Sequence, residues 1–170
     1  LAAGHTTARV KVRPRVAIIP TGDEITPPGK FTRPGQITDF NSTVLGAMVT
    51  ECGGTPTLLP AVPDNPALLR EALRNALQDH HLVALIAGSS AGAHDFTADV
   101  IAGEGELLAH GIEVMPGKPA VLGVITGKPV MGIPGYPVSA IVIAREILQP
   151  ALWQMLGGGS PTPQTTLAVA

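Results

Sequence analysis

Aromatic side chains are nearly missing from this sequence: its 170 residues include one Trp, one Tyr and three Phe. Ala, Val, Leu and Ile must then fill any core, which suits buried parallel strands under alanine-rich helices better than an aromatic-rich β-sandwich. Cysteine is scarcer still. Cys52 stands alone, which excludes an internal disulfide and a cysteine-built zinc site and fits a reducing compartment. Charged residues make up only 14% and the net charge is −2. Without a basic surplus, nucleic acid is not an expected partner, and an anionic ligand must be held by local donors. Long apolar runs are also lacking; the best, Leu82–Ala87, is far too short to span a bilayer. No signal-peptide pattern is visible, although the sequence opens on Leu1 rather than Met. No membrane partner and a cytoplasmic location are therefore the expectations.

What is present is an apolar fraction of 45%, enough at this length for one domain with a full core. The first stretch mixes Gly, Thr and basic residues without a period, so residues 1–13 read as a linker or the tail of a preceding domain. Arg15–Pro20 is a short apolar run that ends on Pro20 and Gly22, the pattern of a buried strand entering a loop. Thr21–Thr38 carries Gly and three prolines and reads as an extended loop. Asp39 suits the N-cap of a helix that runs through Cys52 and stops at Gly53-Gly54.

Thr55–Leu59 is the next strand, and Pro63-Asp64-Asn65-Pro66 opens a helix with leucines 68, 69, 73 and 77 on one face. Leu82–Ala87 is the third strand, followed by the small-residue loop Gly88–Gly92 and a short helix from about Asp95 to Ala102. Three successive β-α units predict a parallel sheet with right-handed crossovers. Leu107–Val114, Ala120–Thr126 and Pro129–Ile133 then read as strands, with a tight turn at Thr126-Gly127-Lys128. Pro137–Leu156 returns to a helical period. Residues 157–170 read as a linker and the start of a truncated C-terminal domain, which leaves 14–156 as the ordered unit.

Ligands of open parallel sheets bind outside the carboxyl ends of the strands. The loops expected there are Thr21-Gly22-Asp23-Glu24, Pro63-Asp64, Gly88–Asp95, Pro116-Gly117-Lys118-Pro119 and Ile133-Pro134-Gly135-Tyr136-Pro137. Small residues let the backbone approach a ligand, and successive N–H groups cradle a phosphate. Lys118 adds a point charge. Glu24, Asp64 and Asp95 bring three carboxylates to one mouth, and repelling carboxylates at a phosphate site call for a hard cation such as Mg²⁺. Each feature also has a plainer reading. A Gly-rich loop is usually just a turn, Asp39 and Asp64 suit helix caps, and a lone lysine is usually solvated.

Gly88-Ser89-Ser90-Ala91-Gly92 matches G-x-S-x-G, and Asp95 or Asp99 with His110 supplies partners in the Ser…Asp…His order. A serine hydrolase built on Ser90 is the weaker alternative, because Gly92-Ala93-His94 continues a loop where that motif needs a helix. His80-His81 are adjacent and do not face one metal, and Asn41-Ser42-Thr43 is a formal glycosylation sequon with little meaning inside a helix.

Five motifs then stand in one order: TGDE at Thr21–Glu24, DFN at Asp39–Asn41, GSSAGAHDFT at Gly88–Thr97, PGKP at Pro116–Pro119 and GIPGYPVSA at Gly132–Ala140. In these the sequence resembles the MoeA/gephyrin molybdenum-insertion family, from about Arg13 to Leu156. The GSSAG and GYPVSA spellings resemble the branch fused to a periplasmic-binding-protein-like domain. The resemblance implies a three-layer α/β/α molybdopterin-binding domain with a mostly parallel sheet. It implies a transferase that inserts molybdate into adenylylated molybdopterin with Mg²⁺ and releases AMP, and that works as a dimer. By motif position, Glu24, Asp64 and Asp95 match the acidic catalytic and metal-binding residues. Thr21, Gly22, Asp23, Gly88, Ser89, Ser90, Gly92, Pro116, Gly117, Lys118, Pro134, Gly135, Pro137 and Ser139 fall in the ligand-binding segments.

Some positions depart from the family. Ala87-Gly88 stands where Gly-Gly is frequent, Tyr136 where Asn is common, and His94 where acidic or small residues are frequent. The family's enzyme has further domains that complete the cleft, so this chain by itself is expected to bind molybdopterin weakly and turn over poorly. A binding-only sensor or scaffold is the second alternative.

Overall fold

Arg15–Pro20 (β1) is buried along all but its first residue, because it is covered on both faces. The computed structural model describes residues 3–30, 33–86 and 96–159. Among these, six strands form one sheet in the order β4-β1-β5-β8-β7-β6, where β4 is Thr55–Leu58, β5 Leu82–Ile86, β6 Glu106–His110, β7 Val121–Ile125 and β8 Lys128–Ile133. β1 pairs in parallel with β4 and β5, and β5 with β8. β7 runs antiparallel to both β6 and β8. Two short strands, β2 (Ile25–Thr26) and β3 (Ile37–Thr38), pair outside this sheet.

The alternation of side chains splits the core into two layers. Val16, Ile18, Leu82, Ala84 and Ile86 face one cluster; Ala17, Ile19, Val83 and Leu85 face the other. α1 (Asn41–Glu51) covers the first with Leu45 and Val49, joined by α4 (Pro137–Ile143) and α5 (Gln149–Met155). α2 (Pro66–Asp79) and α3 (Phe96–Glu104) cover the second. The result is a three-layer α/β/α sandwich with a mostly parallel sheet, as the sequence implied. Among the described residues, the buried hydrophobic side chains include no aromatic ring.

Local chemistry sets the element ends. Asp39 Oδ1 accepts from Ser42 N–H at 3.0 Å at the start of α1. The cap of α2 is Asn65, whose side chain accepts from Ala67 and Leu68 N–H, with Pro66 at the first helical position. The β7–β8 turn has positive φ at Thr126 and Gly127, the two-residue geometry that matches strand twist. A π-helical turn, Ala144–Leu148, joins α4 to α5 just before Pro150. Pro150 has no N–H to give the preceding turn, and the wider turn absorbs that loss.

Several expectations need adjustment. Leu68 lies outside the buried face of α2, which consists of Leu69, Leu73, Ala76 and Leu77. The strand expected to reach Val114 ends at His110, where Gly111 takes φ +84° and the Gly111 N–H bonds Ala120 O. The loop Thr21–Thr38 holds β2 and β3; elements of two residues are too short for periodicity to reveal. The helix expected from Asp95 is Phe96–Glu104. Asp95 itself, and the strand expected at Thr165–Ala170, lie outside the described residues.

Candidate functional site

Thr21 marks the point where the sheet changes direction. From β1 the chain passes through α1 to β4 on one side, then through α2 on the opposite face to β5 on the other. Such a switch point leaves a crevice at the carboxyl ends of the strands. Thr21 closes its floor: its N–H and Oγ1 both donate to Ile86 O, at 2.9 and 3.0 Å, and it bridges Val62 in parallel. Gly22 N–H donates to Val62 O at 3.0 Å, and Asp64 N–H to Asp23 Oδ1 at 3.3 Å. The loops after β1 and β4 are thereby held side by side.

That contact gathers carboxylates. Gly22 has φ +132°, and a Cβ there would stand 2.5 Å from Glu24 Oε2, so the Glu24 carboxylate folds back over a glycine that no other residue can replace without strain. The Asp64 carboxyl is pushed above its usual range, first by partial burial and then by the negative charges of Glu24 and Asp23. Asp64 does not cap α2, since Asn65 does. The sequence reading put Asp23 among ligand-binding residues; the structure adds it to the charge cluster. Asp95, the third expected carboxylate, lies outside the described residues. Among the described residues, no three His, Cys, Asp or Glu side chains are grouped so as to hold an ion. Asp23 and Glu24 are close enough to Asp64 for their charges to repel its own, which is what the structure shows of the three carboxylates.

Next to the cluster, and sharing the turn that begins at Thr21, lies a cleft of about 330 Å³, within the range of small-molecule sites. Its apolar wall is Ile25, Ile37 and Ile86; its lip is Phe40 and Tyr136; Thr38, Asp39 and Asn41 supply polar atoms. The Asn41 amide donates to Gly135 O at 2.7 Å, which ties the start of α1 to the turn between β8 and α4. Gly135 and Pro137 line this cleft, whereas Pro134 is buried beneath and Ser139 lies on α4. Phe40, Asn41 and the β2–β3 residues were not singled out as site residues from the sequence. The DFN motif was the available signal, read from the sequence as a helix start and as one of the five family motifs but not as a set of site residues.

Pro116, Gly117 and Lys118 sit at the same sheet edge because antiparallel β7 begins where β8 ends, with Val121 opposite Gly132. They are not among the residues lining the cleft. Gly117 packs on α4: at φ +134°, a Cβ there would meet Ile143 Cδ1 at 2.6 Å. Lys118 is exposed, and its carbonyl accepts from Ile112 N–H. Gly88, Ser89, Ser90 and Gly92 lie outside the described residues. So does the serine of the hydrolase alternative. Its proposed His110 is on edge strand β6, separated from β5 by β8 and β7, a spacing of roughly 14 Å. His80 and His81 have structural partners: the His80 ring joins Ala76 O and Thr57 Oγ1, and His81 Nδ1 accepts from Arg15 N–H.

The fold and the crevice define a three-layer α/β domain with a cleft at its topological switch point. Residues 17–154 match the family described as probable molybdopterin binding domain, and the chain belongs to that family. It is similar to the molybdopterin molybdenumtransferase of Nostoc sp., 35% identical over 162 residues, which cover 92% of this chain and 37% of the relative. It is also similar to molybdopterin molybdenumtransferase 2 of Mycobacterium tuberculosis (strain CDC 1551 / Oshkosh), 33% identical over 170 residues, with 95% and 42% covered. Among solved structures, a molybdopterin biosynthesis MoeA protein from Pyrococcus horikosii aligns with a TM-score of 0.78 at 39% identity, covering 85% of this chain and 36% of that one. The chain thus spans about two fifths of the length of the curated relatives it matches. No helix among the described residues is long and apolar enough to cross a membrane.

Proposed function

We propose that this chain is the substrate-binding domain of a molybdenum-insertion enzyme, which takes adenylylated molybdopterin and molybdate in the cytoplasm and releases AMP. The observation that carries the proposal is the union of two features at one switch point: a ligand-sized cleft and, on the turn it shares, the carboxylates Asp23, Glu24 and Asp64. A carboxylate cluster at a phosphate-ester site repels its own substrate unless a cation lies between them. Mg²⁺ held by Glu24 and Asp64, with Asp95 as third ligand, would neutralise the pyrophosphate bridge of the substrate.

The chain's own residues do the positioning. Thr21 fixes the floor through Ile86 O, Asp23 orients the Asp64 backbone, and Asn41 holds the Gly135 turn against the cleft. Water would hydrolyse the phosphoanhydride between AMP and molybdopterin, so that AMP leaves, and the two dithiolene thiolates would displace one oxygen of molybdate, which leaves as water with two protons from solvent. The backbone of the Ser89–Gly92 segment is the candidate cradle for the terminal phosphate of the pterin.

The relatives are more than twice as long, so the test belongs on the full-length protein, with the 170 residues alone expected to turn over little. Adenylyl-molybdopterin is supplied with molybdate, with and without Mg²⁺, and AMP is measured. Release that needs both ions and falls at least a hundredfold in Glu24→Gln and Asp64→Asn is expected. Molybdopterin binding without any AMP release would leave a binding-only domain. Esterase activity lost in Ser90→Ala but kept in Glu24→Gln would point to the hydrolase.

A further inference from the structure

Helix α2 keeps its positive and negative charges on separate flanks. Arg70 Nε lies 3.0 Å from Glu104 Oε1, and Arg74 Nη2 donates to the same oxygen at 2.9 Å, so both guanidiniums are drawn toward α3. A separate stripe carries Glu71, Asn75 and Asp79, each one turn from the next. Neither of its carboxylates has an ion pair among the described residues. The stripe borders a groove of about 500 Å³ between α2 and the chain that leaves β4, larger than the cleft at the switch point. The groove is otherwise apolar, with Leu59, Val62, Ala72 and Ala76 along it and Leu68 44% exposed. His80, the remaining ionisable group of its lining, is bonded to Ala76 O and Thr57 Oγ1. The unanswered charge of the groove is therefore negative.

The sheet edge beside the groove is closed to an added strand. Thr55 and Leu59 donate their N–H groups inward, to Pro14 O and Ile18 O, so Pro56, Leu58 and Pro60 have the outward orientation. Two of these three have no N–H, and a pairing strand would find a single donor. A helix meets no such obstacle. Small Ala72 and Ala76 let a second backbone come close to α2, and Leu68 stands beside them as an apolar contact. From Leu68 to Asp79 the stripe runs about 16 Å, three helical turns. We infer that the β4–α2 groove docks a basic amphipathic helix of a partner protein. The apolar face of that helix fills the groove, and its Lys or Arg side chains meet Glu71 and Asp79. The groove lies in the α2 layer at the β4 edge, so this inference is independent of the cleft and of the function proposed for it.

The test uses the intact chain and three labelled synthetic peptides of equal length. One is a Leu–Lys helix with leucines at i, i+3, i+4 and i+7, one a Leu–Glu helix of the same pattern, and one a Leu–Lys peptide of strict alternation that is extended. In anisotropy titrations the Leu–Lys helix is expected to bind best, and more weakly as salt is added. Glu71→Lys and Asp79→Lys are each expected to weaken it about tenfold, and Ala72→Phe, which fills the groove, to abolish binding. Glu113→Lys makes the same change in net charge from the exposed loop beyond β6, at the opposite edge of the sheet, and is expected to bind like the parent. Circular dichroism confirms the fold of each variant. Equal losses in Glu113→Lys and Glu71→Lys would reduce the binding to diffuse charge and overturn the site. Tighter binding of the Leu–Glu helix or of the extended peptide would overturn the basic helix as occupant. If the full-length protein refuses a helix that the 170 residues bind, the groove is covered by the rest of its own chain and the foreign partner is overturned. Absence of binding by all three peptides also overturns it, and a parent dimer split by Leu68→Glu would then assign the groove to a second copy.

Discussion

The hydroxyl of Thr21 donates to the carbonyl of Ile86 at 3.0 Å, beside the backbone bond that the same residue makes to the same oxygen. One side chain therefore joins the end of β1 to the end of β5 where both residues line the cleft. Both residues are buried.

Thr21→Val tests how much that link is worth. The substitution keeps shape but removes the hydroxyl, and Ile86 O retains the backbone N–H. A loss of about 1 kcal/mol is expected in urea unfolding, with the far-UV spectrum unchanged. A loss near zero would mean that the backbone bond alone secures the floor.

Gly22→Ala addresses the turn itself. At φ +132°, a Cβ would meet the Glu24 carboxylate at 2.5 Å, so both the backbone and Glu24 must shift. A destabilisation of about 1–3 kcal/mol is expected. AMP release in the full-length protein should fall at least tenfold, because Glu24 is displaced. Retention of full activity would show that Glu24 need not sit where the glycine lets it.

Asp64 predicts a pH dependence with a definite sign. Its carboxyl is raised by burial and by Glu24 and Asp23, so the fold disfavours its ionised form. That penalty is absent below about pH 4 and develops as pH rises through the folded value. Asp64→Asn should therefore melt with the parent in acid and at or above it at pH 7. The gain should be about 0.5 kcal/mol or less, because the group is exposed and screened. Millimolar Mg²⁺ is expected to raise the melting temperature of the parent and not that of the variant. A variant that melts lower than the parent at neutral pH would contradict the repulsion.

Much of this was legible without coordinates. The apolar runs at Arg15–Pro20 and Leu82–Ala87 announced buried strands because a strand covered on both faces needs no polar alternation. Gly and Pro punctuation placed the loops, and the five ordered motifs identified the family. Asp23, Glu24 and Asp64 carried their chemistry in residue type alone.

The sequence by itself determined which residues form strands, where the turns fall and that carboxylates occupy strand-end loops, since each of these follows from local periodicity and backbone preference. Tertiary structure alone decided that Asp64 meets Asp23 and Glu24, because that depends on β1 pairing with β4 from 40 residues away. It also decided that Asn65 rather than Asp64 caps α2, and that Phe40, Asn41 and Tyr136 share one cleft. Long-range pairing has no signature in any window of sequence. A residue read as a helix start becomes the wall of a cleft only when a second turn is folded against it.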